Sequence, residues 1–358
     1  MKTIEKRLKN LRNRLKKSEA DALLVTKREN YMYLSGFTGT SAFLVITGNR
    51  ALLMTDFRYT EQAAAQAPDY TIVKYQGNVI NALKGMIEDN GIEKLAFEDR
   101  SMTVSTYTEL REKLGIKAFV PFGSTIEELR QVKDEEELKM IKKAVEIADG
   151  TFTHILGVIK PGIREVELAA EMEYHMKKLG ATGPSFDTIV ASGVRAAMPH
   201  GVASEKKLEA GDVITFDFGA LYKGYCSDMT RTVFLGSAKD ELRRIYGIVL
   251  EAHNRSKEGA RRGKTGKEVD LIARKIIAEA GFGDNFGHGL GHAVGLEIHE
   301  EPRFSMTCAT QIKDGMVMTI EPGIYVGGLG GVRIEDMVVV RGDSPETLTA
   351  STKELLVV

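Results

Sequence analysis

The sequence predicts an α/β domain followed by an α+β domain. Three observations carry this. Across the first third, short apolar runs of strand length alternate with helix-forming stretches, the pattern of a sheet flanked by helices. Around Pro121-Phe122-Gly123-Ser124 the alternation breaks and a charged helical stretch, VKDEEELKMIKKAVEIADGTF, follows, so the boundary is expected between residues 123 and 124. Beyond it, strands are grouped with long helices instead of alternating with them. A chain of 358 residues with 43% apolar content can fill two cores.

The elements follow in order. MKTIEKRLKNLRNRLKK is basic, with Ile4, Leu8, Leu11 and Leu15 at helical spacing, and reads as an amphipathic surface helix. It lacks the apolar core of a secretory signal, and Glu5 and the absence of serine before Ser18 weaken a transit-peptide reading. Residues 30–49 carry no charge and have the length of a membrane span. Gly36, Gly39, Gly48 and several hydroxyl residues point instead to strand, turn and strand. ADALLV, AFLVIT, ALLMT, TIVKY and KLAFE read as strands, and 57–67, 79–90 and 103–114 as helices. In the second part, helices are expected over 135–155, 164–180, 239–260 and 266–280. Strands are expected at DTIVAS, in a hairpin over 213–234, and at 316–320 and 332–340.

Net charge is −1, which gives no bulk argument for nucleic-acid or membrane partners. The two cysteines, Cys226 and Cys308, make no disulfide framework, so a reducing cytoplasm is the expected location. Several motif-like stretches fail on spacing. GARRGKT has Glu258 where a phosphate loop needs glycine, and GLGHAVG has one gap too long for a dinucleotide fingerprint. Arg303 stands where a zinc-protease helix needs its second histidine after His299-Glu300, and Ser192 lacks the glycine pair of a nucleophile elbow.

The chemistry lies in Asp217, Asp228, His288, His292, His299, Glu321 and Glu335. Singly, each has an ordinary explanation as a solvated acid or a loop histidine. Together they need another one. FDFGALYKGYCSDMTRT reads as a hairpin centred between Tyr222 and Lys223, which would set Asp217 directly opposite Asp228 with Cβ atoms about 5 Å apart. Two like charges so placed call for a counter-charge, and a divalent cation is the compact way to supply it. Four carboxylates with one or two imidazoles suit Mn, Co, Fe or Zn. Five ligands are too many for one tetrahedral catalytic ion and about right for two ions sharing carboxylates. In GGVRIEDMVVV, read as one strand, Arg333 and Glu335 share a face, so Arg333 could orient that carboxylate.

The order Asp217, Asp228, His292 in HGLGHAVGLEIHE, Glu321 in IEPGIY and Glu335 in VRIED resembles the pita-bread metallopeptidases (creatinase/aminopeptidase-like). This family includes methionyl aminopeptidases, aminopeptidase P and prolidase. MPHG with His200, and His299 after His292, also fit. YLSGFTGTSAFLVIT and LLMTDFRYTEQA resemble the extra N-terminal domain of the proline-specific branch. The resemblance implies a creatinase-type N-terminal domain over 1–123 and a catalytic domain over 124–358. It implies two divalent ions per subunit, Mn or Co before Zn or Fe. Asp217 would chelate one ion, Asp228 and Glu335 would bridge, and His292 and Glu321 would bind the other. A hydroxide between the ions would attack the carbonyl before proline, with Glu321 also shuttling the proton. His200 and His299 would hydrogen-bond the substrate and the developing oxyanion, and His288 would line the same cavity. Phe186 and Ile298 match wall positions of prolidases. Arg303 matches an arginine that grips a free carboxylate, which would favour Xaa-Pro dipeptides.

Three functions are therefore open: a Xaa-Pro dipeptidase, an aminopeptidase P acting on longer Xaa-Pro peptides, and a pita-bread protein that binds without hydrolysis. The retained ligand set speaks against the last. The resemblance further implies a homodimer whose substrates are small peptides with proline second.

Overall fold

The computed structural model describes residues 3–358 and divides into two compact units, one ending at Arg130 and one beginning at Gln131. The first unit opens with α1 (Thr3–Leu15), which buries Leu8, Leu11 and Leu15, the stripe its spacing predicts. Six strands follow: β1 (Ala22–Val25), β2 (Phe43–Thr47), β3 (Ala51–Thr55), β4 (Thr71–Lys74), β5 (Lys94–Phe97) and β6 (Ala118–Pro121). They form one mixed sheet in the order β4-β3-β2-β1-β5-β6. The helices are α2 (Arg28–Ser35), α3 (Thr60–Gln66), α4 (Val79–Asp89), α5 (Val104–Lys113) and α6 (Thr125–Arg130). Ile80, Leu83 and Ile87 of α4 pack with Leu24, Val45 and Leu95 of the sheet.

Three expectations are corrected in this unit. Residues 30–49 do not begin as a strand. Most of α2 lies there, closed by Gly36 in the left-handed region (φ 79). Buried Asn30 is held by Glu98 and Glu127 at 2.7 Å each, partners that local sequence does not reveal. β6 was not expected; its Pro121 is tolerated because β6 is an edge strand. The boundary lies beyond 123/124, because α6 belongs to the first unit: Arg130 Nη1 donates to Asn30 Oδ1 at 2.7 Å and Tyr33 OH to Leu129 O at 3.1 Å.

The second unit starts with α7 (Glu135–Leu156), capped by a reciprocal Asp134–Glu137 box, and α8 (Glu165–Lys178). The strands that follow are β7 (Gly183–Pro184), β8 (Ile189–Ser192), β9 (Val213–Phe218), β10 (Ala220–Tyr222), β11 (Tyr225–Cys226) and β12 (Met229–Phe234). After α9 (Asp240–Gly259) and α10 (Gly266–Glu279) come β13 (Gly291–Ala293), β14 (Glu300–Phe304), β15 (Val317–Ile320), β16 (Gly323–Val326), β17 (Gly330–Arg333), β18 (Asp336–Val339), β19 (Glu346–Thr347) and β20 (Leu356–Val357).

Two sheets organise this unit. One, β20-β12-β9-β8, packs Val190, Ile214 and Phe216 against Phe152, Leu168 and Met172 of α7 and α8. The other, β14-β13-β15-β18-β19, packs Met318 and Val338 against Val249, Val269 and Ile277 of α9 and α10. Each fully buried side chain of this size stabilises by about 1.5–3 kcal/mol. The first sheet meets β17, part of a separate β16-β17 ladder, and the step from β17 to β18 of the second sheet along a seam. There Thr232 Oγ1 bonds both the carbonyl and the N–H of Arg333, at 2.9 and 3.2 Å, and Glu335 N–H donates to Thr230 O at 3.1 Å.

Two register expectations fail at this seam. The hairpin turn sits at Lys223-Gly224, with φ of 48° and 85°, the two positive values that a tight primed turn requires. Tyr222 therefore pairs with Tyr225, and Asp217 pairs with Thr230, not with Asp228. Asp228 lies diagonal to Asp217 instead. The run 332–340 is also not one strand. β17 pairs with β16 and β18 with β15, and Ile334-Glu335 forms the step between two sheets.

At Gly219, between β9 and β10, an added Cβ would lie 1.8 Å from Ser227 O and 2.2 Å from Ser185 Oγ. Overpacking of this kind costs about 1–3 kcal/mol, and about 2–4 °C accompanies each kcal/mol in a unit of this size. Gly219→Ala should lower the melting midpoint by about 2–12 °C. Gly247→Ala in α9, where a Cβ meets open space, should leave it equal or raised. Thermal melts of both variants check this, and an unshifted Gly219→Ala would show that the junction is loose.

Candidate active site

Five ligand candidates reach one place from different strands. Asp217 is on β9, Asp228 precedes β12, His292 is on β13, Glu321 follows β15, and Glu335 occupies the step between β17 and β18. They share a cavity of about 670 Å³ within the second unit. Phe186, His200, His288, Ile298, His299, Arg303 and Arg333 line the same cavity, so every residue singled out from the sequence meets there.

The core of the cluster is tight. One ligand atom each from Asp228, His292 and Glu335 lie within 4.8 Å of one another, and all three residues are buried. His292 Nδ1 is 3.1 Å from Ala293 O. A carbonyl only accepts, so Nδ1 carries the hydrogen and Nε2 presents its lone pair. That nitrogen lies 3.6 Å from Asp228 Oδ2 and 3.3 Å from Glu321 Oε1. A lone pair aimed at two carboxylates is favourable only with a proton or a cation between them.

Second-layer groups fix the carboxylates. Thr230 Oγ1 donates to Glu335 Oε2 at 2.8 Å, and Thr319 Oγ1 donates to Glu321 Oε1 at 3.2 Å while accepting from His292 N–H at 3.0 Å. Arg333 was expected to orient Glu335. It bonds Asp217 Oδ2 instead, at 2.6 Å, and reaches Glu335 only through Thr230 Oγ1, at 2.9 Å. The step after Arg333 takes Glu335 out of the strand geometry on which that expectation rested.

Charge is concentrated here. Burial, followed by the neighbouring carboxylates of Glu335, Asp217 and Glu321, pushes Asp228 well above the usual carboxylate range. Burial and the same kind of crowding push Glu335 well above it too. Asp217 rises because burial outweighs the Arg333 guanidinium. Glu321 goes the other way: burial opposes its ionisation, but a proton shared with His292 Nε2, together with the Arg333 guanidinium, brings it down to about 2.

The residues fit divalent metal. Asp217 Oδ1 and Glu335 Oε1 are buried with no hydrogen-bond partner among the described residues. Such orphaned oxygens are rare and expensive unless a cation or water meets them. Hard carboxylates with one imidazole are the donor set of Mn, Co, Fe or Zn.

The sequence did not single out Tyr325. Its hydroxyl accepts from Arg333 Nη1 at 2.8 Å and lies 2.9 Å from His288 Nε2. His288 Nδ1 faces Gly289 O at 2.8 Å, so that nitrogen is the donor and Nε2 accepts from the tyrosine. Arg333 also donates to Pro199 O at 3.2 Å. His288, expected to line the cavity, and Arg333, expected to orient Glu335, are therefore engaged chiefly with the protein itself. The only sequence signal for Tyr325 was its place four residues after Glu321 in IEPGIY.

Raised carboxyl pKa values mean that the metal-free fold holds protons more tightly than the unfolded chain. That contribution to stability is complete below the ordinary carboxylate range and is lost as pH rises through the raised values. Asp228→Asn should therefore melt above wild type in chelator at pH 7, with the gap closing toward pH 4. In saturating Mn²⁺ the order should reverse, because the variant lacks a charged ligand. Melting curves with EDTA and with Mn²⁺ check both signs; a wild type more stable than the variant in EDTA at pH 7 would contradict this account.

Residues 139–342 match metallopeptidase family M24, and residues 7–132 match the creatinase/prolidase N-terminal domain. The chain is 42% identical to a Xaa-Pro dipeptidase of Pyrococcus horikoshii, over 99% of this chain and 100% of the relative. It superposes on the structure of a Xaa-Pro dipeptidase from Bacillus anthracis with a TM-score of 0.97 and 45% identity, covering 99% and 100% of the two chains. For an X-Pro aminopeptidase from Thermotoga maritima the TM-score is 0.92 at 41% identity, covering 97% and 100%. With its cluster of acids and histidines on a pita-bread fold that follows a creatinase-type unit in the sequence, this chain belongs to metallopeptidase family M24, in its proline-specific branch.

Proposed function

We propose that the protein hydrolyses the peptide bond preceding proline in Xaa-Pro dipeptides, using two divalent ions held by Asp217, Asp228, His292, Glu321 and Glu335. The observation that carries this reading is the meeting of all five, with His200, His299 and Arg303, on one cavity. Bound there, the ions supply Lewis acidity and make water nucleophilic near neutral pH. Mn or Co is the expected pair.

The chain's own groups do the rest. Glu321 is ionised at rest and accepts the proton of the attacking water. It then returns a proton to the prolyl nitrogen, which must gain one to leave. Burial, followed by the charges of His292 and Arg303, brings His299 down to about 4, so it is neutral at pH 7 and can donate an N–H to the carbonyl oxygen. His200 faces the same space and is assigned the same kind of contact. Phe186 and Ile298 offer apolar wall to the prolyl ring. Arg333 and His288 are assigned positioning roles, consistent with their bonds to Asp217 and Tyr325.

Arg303 favours a dipeptide. It is half-exposed at the cavity, and its only partner among the described residues is Glu301, 3.6 Å from Nε. Its terminal nitrogens can grip the carboxylate that a C-terminal proline carries. Release of an N-terminal residue from longer Xaa-Pro peptides is the second reading, supported by the likeness to the Thermotoga aminopeptidase.

Turnover of Ala-Pro against Ala-Pro-Ala separates the two: Ala-Pro should be preferred, and strong preference for the tripeptide would overturn the dipeptidase reading. Arg303→Ala should raise KM for Ala-Pro by about 10–100-fold, the equivalent of one charge-assisted pair, with a smaller effect on the tripeptide. Asp228→Asn should lower kcat by more than about a hundredfold with the fold retained.

A further inference from the structure

We propose that Glu165 is a positioning residue for His200, acting as a carboxylate staple across the segment that carries it. The inference rests on the role assigned to His200 above. Glu165 opens α8 and its side chain is fully buried. Oε1 accepts from Ser192 N–H at 2.8 Å and Ser192 Oγ at 2.7 Å. Oε2 accepts from Ser204 N–H at 3.1 Å, from Ser204 Oγ at 2.6 Å and from Arg195 Nη1. Ser192 ends β8, and Ser204 lies just past His200. One carboxylate therefore ties both ends of residues 193–203 together. Arg195 adds a second tie inside the segment, from Nη2 to Val202 O at 2.9 Å.

The staple matters because the histidine side chain itself has no tether. The His200 ring makes no hydrogen bond to the described protein, so its direction follows its backbone. Val194, Met198 and Val202 around it are 57%, 52% and 50% exposed and contribute little packing. Ala196 is buried, and Pro199 O accepts from Arg333, which anchors the middle of the segment. The ends are also held by backbone, Ser192 pairing with Ile214, Val202 bridging to Ile189 and Ser204 O accepting from Val166 N–H at 3.1 Å, and Glu165 is the side chain that joins the two. A buried charge bonded by five donors is stable in place and rigid, and a neutral amide could not accept on both sides. In Glu165→Gln, one end would meet an NH₂ group where its own N–H needs an acceptor.

The test is a double-mutant cycle on the metal-loaded enzyme with Ala-Pro. Glu165→Gln should lower kcat/KM about 10–100-fold, the scale of a displaced catalytic contact. In a His200→Ala background the same change should alter activity less than twofold. In a His299→Ala background it should keep its full effect. Amide hydrogen exchange of residues 193–203 should speed up at least tenfold in Glu165→Gln, with the sheets unchanged. If Glu165→Gln folds poorly, Ser204→Ala, which deletes one bond, gives the same pattern at smaller amplitude. An equal loss in both His200 backgrounds, or unchanged exchange of the segment, overturns the proposal. A wild type that hydrolyses no Xaa-Pro peptide would refute the functional reading instead, and the exchange experiment would still decide the staple.

Discussion

The catalytic unit depends on one electrostatic constraint: four carboxylates and an imidazole are gathered where little water reaches. Burying uncompensated charge is among the largest penalties a fold can carry. Within the protein, one guanidinium, Arg333, and two threonine hydroxyls answer four acids. The remaining imbalance shows as raised affinity for protons at Asp228 and Glu335 and as two buried oxygens without partners. Divalent cations resolve all of these together. The site is thus held in a state that protons or metal must complete.

That strain needs a rigid frame, and the seam supplies it. Beneath Glu335, buried Arg231 donates to Glu335 O and, at 2.9 Å, to Thr230 O. It also bonds Asp336 Oδ1 at 2.8 Å and the carbonyls of Ser351 and Thr352 at 2.8 and 3.0 Å. Lys353 Nζ meets the other oxygen of Asp336 at 2.8 Å. The C-terminal segment is in this way bound to the backbone that aims Glu335. On the cavity side, Arg333 donates to both Asp217 and Tyr325, and the tyrosine hydroxyl donates on to His288. Such second-layer bonding commonly tunes metal affinity by about 10–100-fold. Both networks explain how the Glu335 carboxylate can sit at a step between strands and still be held in place.

Much of this was legible in the sequence, for identifiable reasons. Strands and helices in both units follow apolar periodicity, as in Leu8, Leu11 and Leu15 of α1, because a buried face must recur at the period of its element. The five candidate ligands stood out because acids and histidines beside glycine or inside apolar runs are costly without a purpose. The hairpin register did not follow from counting outward from Tyr222-Lys223. Backbone conformation chose Lys223-Gly224 as the turn, and a shift of one position in its centre replaced Asp228 by Thr230 opposite Asp217. The break at Ile334-Glu335 was hidden because both sides of it are apolar strand sequence.

By itself, then, the sequence determined the two-unit organisation, the kind of elements and the identity of the groups that hold charge. These are local or compositional properties, written in periodicity and residue type. Only the tertiary structure decided which carboxylate Arg333 holds, that Tyr325 joins it to His288, and that Glu165 reaches both Ser192 and Ser204. Those pairings join residues far apart in the chain. They are set by where two packed sheets and their helices meet, which no local pattern encodes.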